Sequence, residues 1–194
     1  MQMQTDVLSA AARAVLELGA GRAYEALVVK GPGNVEARGE LEELKAQQLF
    51  DRPVKSVADA EAALAGLWLW HDWLEQSHTI AQGIAGETGS FWHAIMHRRQ
   101  GDFSNAKHWY ARCRNHPMLA VIGVQAGSLL NPLPLDKGLA RLILRGWDPE
   151  HFVDLVEEAQ GKENPGREAV LVSLQRLEWR LLFEHCGRKA VEGR

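Results

Sequence analysis

The chain has 194 residues, of which 46% are hydrophobic and 24% are charged, and this is the composition of an ordinary globular protein. Its length favours one domain, residues 1–194, with a single core. The formal net charge of −3 excludes a general attraction to nucleic acid or to an acidic membrane, so we expect neither as a partner. Two cysteines, Cys113 and Cys186, are too few for a disulfide framework and predict free thiols in a cytoplasmic protein.

In chain order, the first predicted helix covers Val7–Leu18, where apolar residues recur at helical spacing before a break at residues 19–21. The segment Ala23–Val29 is predicted to be a short helical or extended piece. Asn34 is a candidate N-cap for a charged helix that reaches about Phe50.

The next predicted helix starts at Ser56 or Asp59 and contains the apolar run Ala60–Trp70, which should be buried on most sides. His71 and Asp72 predict a break, followed by a separate helix from Trp73 to Ile84. One uninterrupted helix over residues 56–84 is the alternative.

A helical hairpin follows. Thr88 or Ser90 caps a predicted helix over Phe91–Gln100, Gly101 and Asp102 form the turn, and a second helix covers Phe103–Asn115 before Pro117 prevents its continuation.

The C-terminal third begins with Met118–Ala126, which is predicted as helix or irregular structure. A short helix follows over Leu135–Arg145, then a helix with Pro149 in its first turn that runs to Gln160, and a final helix over Pro165–Cys186. Sustained alternation of apolar and polar residues is not found, so the sequence predicts an all-α fold of packed helical hairpins.

Residues 100–110 resemble the inter-helix turn and second helix of a tetratricopeptide repeat. Gly101 stands at the turn, Ala106 at the position where the two helices pack closely, and Phe103 and Tyr110 at the aromatic positions. A similar but weaker pattern lies about 30 residues earlier, around His71, and repeats at this spacing are typical of stacked helical hairpins. The resemblance implies a tetratricopeptide-like pair of hairpins over residues 56–117. His93 and His97 depart from it, because they replace the Leu and Tyr of such repeats.

A second resemblance rests on the string Phe91–Arg99 (FWHAIMHRR) together with Ser77, His78, Asn105, Lys107 and Trp109. This set is similar to a family of bacterial and fungal proteins. The resemblance implies that these residues form one unit, and it carries no catalytic role to this chain.

His93 and His97 are four residues apart, so on a helix they share one face at a spacing that lets two imidazoles bind one metal. Ala94 stands where the HExxH zinc-protease motif has its glutamate, so that motif is absent. If helix 56–84 is continuous, His71, Glu75 and His78 also share a face. The predicted metal set is His78, His93 and His97, with a divalent metal such as zinc as the cofactor; the alternative is that these are hydrogen-bonded core histidines.

The hairpin also carries a local excess of basic residues, because only Asp102 opposes Arg98, Arg99, Lys107, Arg112 and Arg114. Guanidinium groups bind carboxylates and phosphates through paired hydrogen bonds. The residues predicted to bind a ligand are His78, His93, His97, Arg98, Arg99, Lys107 and Trp109.

Three functions fit this sequence. In the first, a helical binding domain holds a small anionic molecule, or the acidic segment of a protein partner, in the polar pocket. In the second, the histidines bind a metal in a hydrolase-like enzyme. In the third, the polar cluster is structural and the protein is an interaction scaffold. We take the first as the working hypothesis.

Overall fold

The computed structural model describes residues 6–19, 23–133, 135–144, 146–161 and 164–193. These residues form ten α-helices and one short 3-10 helix, Ala46–Gln48, and none of them belongs to a β-strand. The all-α prediction is therefore confirmed. The helices are α1 (Ala10–Glu17), α2 (Val35–Glu43), α3 (Val57–Trp70), α4 (Leu74–Gln82), α5 (Glu87–Gln100), α6 (Phe103–Ala111), α7 (Pro117–Leu130), α8 (Lys137–Ile143), α9 (Pro149–Ala159) and α10 (Pro165–Glu192).

Most helices begin at a residue whose side chain accepts a hydrogen bond from the first turn. Such N-caps satisfy backbone N–H groups that have no partner inside the helix. A proline follows the cap directly in α7, α9 and α10, where its missing N–H costs nothing. The capping residues are Ser9, Asn34, Ser56, Asp102, His116, Asp136, Asp148 and Asn164.

The break predicted at His71 and Asp72 is confirmed, and one continuous helix over residues 56–84 is excluded. Helix α3 ends at Trp70 and α4 begins at Leu74. Between them, Asp72 has a φ of 64°, in the left-handed region that ends helices.

Several helix bounds differ from the prediction. Helix α2 ends at Glu43, because Leu44 is extended and a 3-10 turn follows, so the charged helix does not reach Phe50. The prediction that Thr88 or Ser90 caps α5 is wrong, because the helix begins at Glu87 after Gly86, whose φ is 91°, and no side chain caps it. Residues Met118–Ala126, predicted as helix or irregular structure, lie within the helix α7, whose first residue is Pro117.

Helices α3, α4, α5 and α6 pack in sequence, each against the next. Helix α10 packs along α3 and α7, while α9 packs on α6. These contacts show that the helices pack against one another, as predicted. They do not show the specific geometry of a tetratricopeptide repeat.

Helix α5 is the most enclosed of these elements, with every residue from Phe91 to Arg99 buried. Gly66 of α3 allows the close approach of Trp92, since a Cβ at residue 66 would lie 2.7 Å from the indole ring. Because both sides of α5 are covered, its two histidines and two arginines must find polar partners inside the protein.

None of the helices in the described ranges is both long enough and apolar enough to cross a membrane.

The close packing of α5 and α6 at Ala106 can be tested by overpacking. Ala106 is fully buried in α6, so Ala106→Leu should lower the free energy of unfolding by about 1–3 kcal/mol. Urea denaturation measures the change. Ser104→Leu, at an exposed position of the same helix, should change it by less than about 0.5 kcal/mol. An unchanged midpoint for Ala106→Leu would contradict this packing.

Candidate functional site

The structure brings the three predicted histidines together. His93 and His97 lie one turn apart on α5, and His78 reaches them from α4. The ring centroid of His78 is 4.9 Å from that of His93 and 5.4 Å from that of His97, and the two α5 rings are 6.1 Å apart. We call these three residues the histidine cluster.

His93 is the most deeply buried member, with 2% of its surface exposed. Its Nδ1 lies 3.1 Å from the carbonyl oxygen of Gly89, which can only accept, so Nδ1 carries the proton. The lone pair is then on Nε2, which is buried and has no hydrogen-bond partner in the described part of the chain. Burial lowers the pKa of His93 to about 4, outweighing the bond to Gly89, so the ring is neutral at pH 7.

His97 and His78 connect His93 to the surface. The amide nitrogen of Asn105 lies 3.2 Å from Nε2 of His97, and Gln100 and Asp102 flank Nδ1 at 3.3 and 3.9 Å. Burial, followed by the proximity of His78, lowers the pKa of His97. His78 is half-buried, and the amide nitrogen of Gln82 lies 2.9 Å from its Nδ1.

Trp109, near the end of α6, borders the cluster, and Arg112, the C-cap of α6, contacts Trp109. The indole of Trp109 stacks on the His93 ring with a centroid distance of 4.2 Å and an interplanar angle of 13°. The guanidinium carbon of Arg112 lies 5.2 Å from the Trp109 ring, and the side chain is exposed to solvent. Arg112, predicted only as part of the basic hairpin, is connected to the histidine cluster through Trp109, over whose ring it lies.

Arg98 lies outside the histidine cluster, although it follows His97 directly. It is fully buried, and its Nη2 donates to Glu178 of α10 at 2.6 Å. Tyr110 accepts from the same guanidinium and donates to the second carboxylate oxygen at 2.8 Å. This network commits Arg98 to the core, so the predicted ligand contact is not available to it.

Arg99 is also buried and paired internally. It forms an ion pair with Asp72 and donates to the carbonyl oxygens of Leu69 and Ala26, at 3.1 and 3.0 Å. Its guanidinium carbon lies 3.7 Å from the ring of Tyr24. Arg99 thus ties the segment after α1 and the end of α3 to α5, which is a structural role.

Lys107 points away from the cluster, because α6 presents it to α9. Its Nζ forms an ion pair with Asp154, and the hydrogen bond to that carboxylate raises the pKa of Lys107. Of the seven residues predicted to bind a ligand, the structure therefore gathers four: His78, His93, His97 and Trp109.

His71 and Glu75 do not extend the cluster. The Nε2 atom of His71 lies 2.9 Å from the carbonyl oxygen of Val15 in α1, so this ring contacts a different helix from the one that carries His93 and His97. Among the described residues, no group of three or more His, Cys, Asp and Glu side chains is arranged so that it could hold a metal ion. The hypothesis of a zinc-like centre gains no support from this arrangement.

The two cysteines are buried free thiols. Burial raises the pKa of both Cys113 and Cys186 to about 12, so neither is a thiolate at neutral pH. The two arginines that flank Cys113 in sequence do not activate it.

A first test concerns the buried pairing of Arg98. Glu178→Gln removes the carboxylate and leaves a guanidinium uncompensated in the core, so it should cost about 3–5 kcal/mol of unfolding free energy. Replacing both partners, Arg98→Met with Glu178→Leu, should recover much of that loss. Glu168→Gln, in the exposed first turn of the same helix, should cost well under about 1 kcal/mol. An unchanged free energy of unfolding in the Glu178→Gln variant would contradict the structural role of Arg98.

A second test follows from the pKa of His93 and of His116, which burial likewise lowers to about 4. The unfolded chain, with histidine pKa values near 6.5, binds more protons below that pH than the folded chain. The contribution of these rings to the free energy of unfolding should therefore be fully present above pH 6.5. It should decrease as the pH falls, by about 2 kcal/mol per histidine at pH 5.

Chemical denaturation at pH 7, 6 and 5 measures this slope. His93→Gln should flatten it, whereas His108→Gln, at an exposed position, should leave it unchanged. Equal stability of the parent protein at pH 7 and pH 5 would contradict the buried, neutral state of these rings.

Comparison of the chain with known protein families, with curated protein sequences and with solved structures gives no match, so neither of the two sequence resemblances gains support.

Proposed function

We propose that this protein binds a small anion, one bearing a carboxylate, phosphate or sulfate group, at the histidine cluster with Trp109 and Arg112, and that binding takes up a proton. Arg98, Arg99 and Lys107, which the sequence placed in the site, have no part in it. The observation that carries the proposal is the buried Nε2 of His93, which has no partner in the described part of the chain. Buried polar atoms in native proteins are usually hydrogen-bonded, and this nitrogen, beside two further imidazoles, is free to accept or, once protonated, to donate a further bond.

An anion fits the surroundings of this nitrogen better than a cation does. Arg112 brings a guanidinium over the Trp109 ring that stacks on His93, and the amide nitrogen of Asn105 is a hydrogen-bond donor beside His97. Asp102, 3.9 Å from His97, is half-exposed and therefore screened by water. Without ligand the buried rings stay neutral, because desolvation penalises their charged form.

The proton follows from the same balance. A bound anion stabilises the charged form of a neighbouring imidazole and so raises its pKa. A ring that is neutral in the free protein then gains a proton when the anion binds. For uptake of one proton, affinity should increase as the pH falls from 8 to 6, by up to about tenfold per pH unit.

One observation favours the alternative function of an interaction scaffold. In that function the polar residues of the hairpin are structural, and Arg98 and Arg99 do form ion pairs inside the protein. For both functions we propose a tetratricopeptide-like arrangement of residues 56–117. The burial of Ala106 supports it, because a small buried residue allows α5 and α6 to cross closely.

Sulfate is the probe for this proposal, because its charge is constant between pH 6 and 8. At low millimolar concentration, below the range in which sulfate stabilises proteins by exclusion from their surface, sulfate should raise the melting temperature relative to chloride at equal ionic strength, and more at pH 6 than at pH 8. Calorimetric titration in two buffers of different ionisation enthalpy should show uptake of about one proton.

The variants separate binding from stability. His93→Gln and Arg112→Gln should each remove the response to sulfate. Arg114→Gln is the matched control, since Arg114 is an exposed cation two residues further on that faces Glu150 at 3.7 Å. The proposal fails if sulfate does not stabilise the protein at pH 6, or if Arg112→Gln responds as the parent protein does.

A further inference from the structure

A groove of about 710 Å³ lies between α7 and α10, away from the histidine cluster. Residues from α7, α10 and the last residue of α3 line it, among them Trp70, Gln125, Leu129, Arg176, Trp179 and Arg180. Its volume is within the range of small-molecule binding sites, about 300–1,000 Å³. The sequence motifs gave no indication of this groove.

The floor of the groove is a rigid aromatic surface. The rings of Trp70 and Trp179 lie 4.4 Å apart, and Trp179 stacks on Phe183 at 4.8 Å. Both indole N–H groups donate inward, from Trp70 to the carbonyl oxygen of Leu16 and from Trp179 to that of Gly66. Trp179 is only 1% exposed and supports Trp70 from within the core, so the half-buried Trp70 ring is the one that offers the groove a fixed carbon surface.

Two arginines one helical turn apart on α10 add positive charge to this apolar surface. Arg180 donates to the neutral amide oxygen of Gln125 at 3.0 Å. Arg176 donates to the carbonyl oxygen of Ala23, while Glu25 lies 4.0 Å away. The Nε of Arg176 is buried and has no hydrogen-bond partner in the described part of the chain. Unlike buried Arg98 and Arg99, both arginines are half-buried and line an open cavity.

We propose that the α7–α10 groove binds a small amphipathic anion, with a flat apolar body against Trp70 and Leu129 and a carboxylate or phosphate head between Arg176 and Arg180. Charge complementarity determines the head group, because guanidinium groups pair with such oxyanions. The aromatic floor determines the body. This site is independent of the histidine cluster, and either can exist without the other.

Pyrenebutyrate and its uncharged analogue pyrenebutanol form a matched pair of probes, since they differ only in the head group. Tryptophan emission overlaps pyrene absorption, so binding next to Trp70 and Trp179 should transfer excitation energy to the pyrene. Titration of each probe should show saturable binding, with pyrenebutyrate bound about tenfold more tightly than pyrenebutanol.

Arg180→Gln and Arg176→Gln should each reduce the preference for the acid and leave binding of the alcohol unchanged. Ser173→Trp, at an exposed position that lines the groove, should weaken the binding of both probes by occupying part of the cavity. Arg38→Gln is the matched control, because Arg38 lies over Trp73 outside the groove. Arg112→Gln should also have no effect, which separates this site from the histidine cluster.

Circular dichroism establishes that each variant is folded before titration. Because Arg176 and Arg180 have different internal partners, either variant tests the proposal if the other fails to fold. Equal affinity for the two probes, or unchanged binding of pyrenebutyrate to Ser173→Trp, would overturn it.

Discussion

The buried ion pair between Arg98 and Glu178 is the constraint on which the arrangement of the helices depends. Both side chains are fully enclosed, and an unpaired charge in that position is very costly, so α5 and α10 must meet where the two groups meet. Tyr110 of α6 completes the network by bonding to both partners. Three helices are thus held in one register by polar atoms that tolerate little displacement.

Once α5 is held in this way, the directions of its other polar residues follow from helix geometry. Successive residues point about 100° apart, so His97, Arg98 and Arg99 face three different neighbours. His97 turns with His93 toward α4 and α6, Arg98 toward α10, and Arg99 toward the end of α3. This separation is the reason that a run of adjacent polar residues does not form one pocket.

Much of the fold was predictable because local signals determine it. Asn34, Ser56 and the pair Asp148–Pro149 marked helix starts correctly, and the spacing of His93 and His97 placed them on one face. Thr88 and Ser90, predicted as caps, lie inside α5 instead. The partners from other elements were not predictable. Glu178 is 80 residues from Arg98, and nothing about an isolated glutamate on a helix indicates that it is buried. Arg98 and Arg99 were assigned to a ligand site for the same reason, since charge alone does not show whether a guanidinium is paired inside or open to solvent.

The two proposed sites differ in the origin of their positive charge. The buried rings of His93 and His97 are neutral and become charged only if a ligand offsets the cost of desolvation, so their charge depends on pH. The positive charge of the α7–α10 groove comes instead from guanidinium groups, a side-chain type that stays protonated across the physiological pH range. Anion binding in the α7–α10 groove should therefore be nearly independent of pH between 6 and 8, whereas binding at the histidine cluster should weaken as the pH rises. This difference in pH dependence identifies which site an anion occupies even when both are open to it.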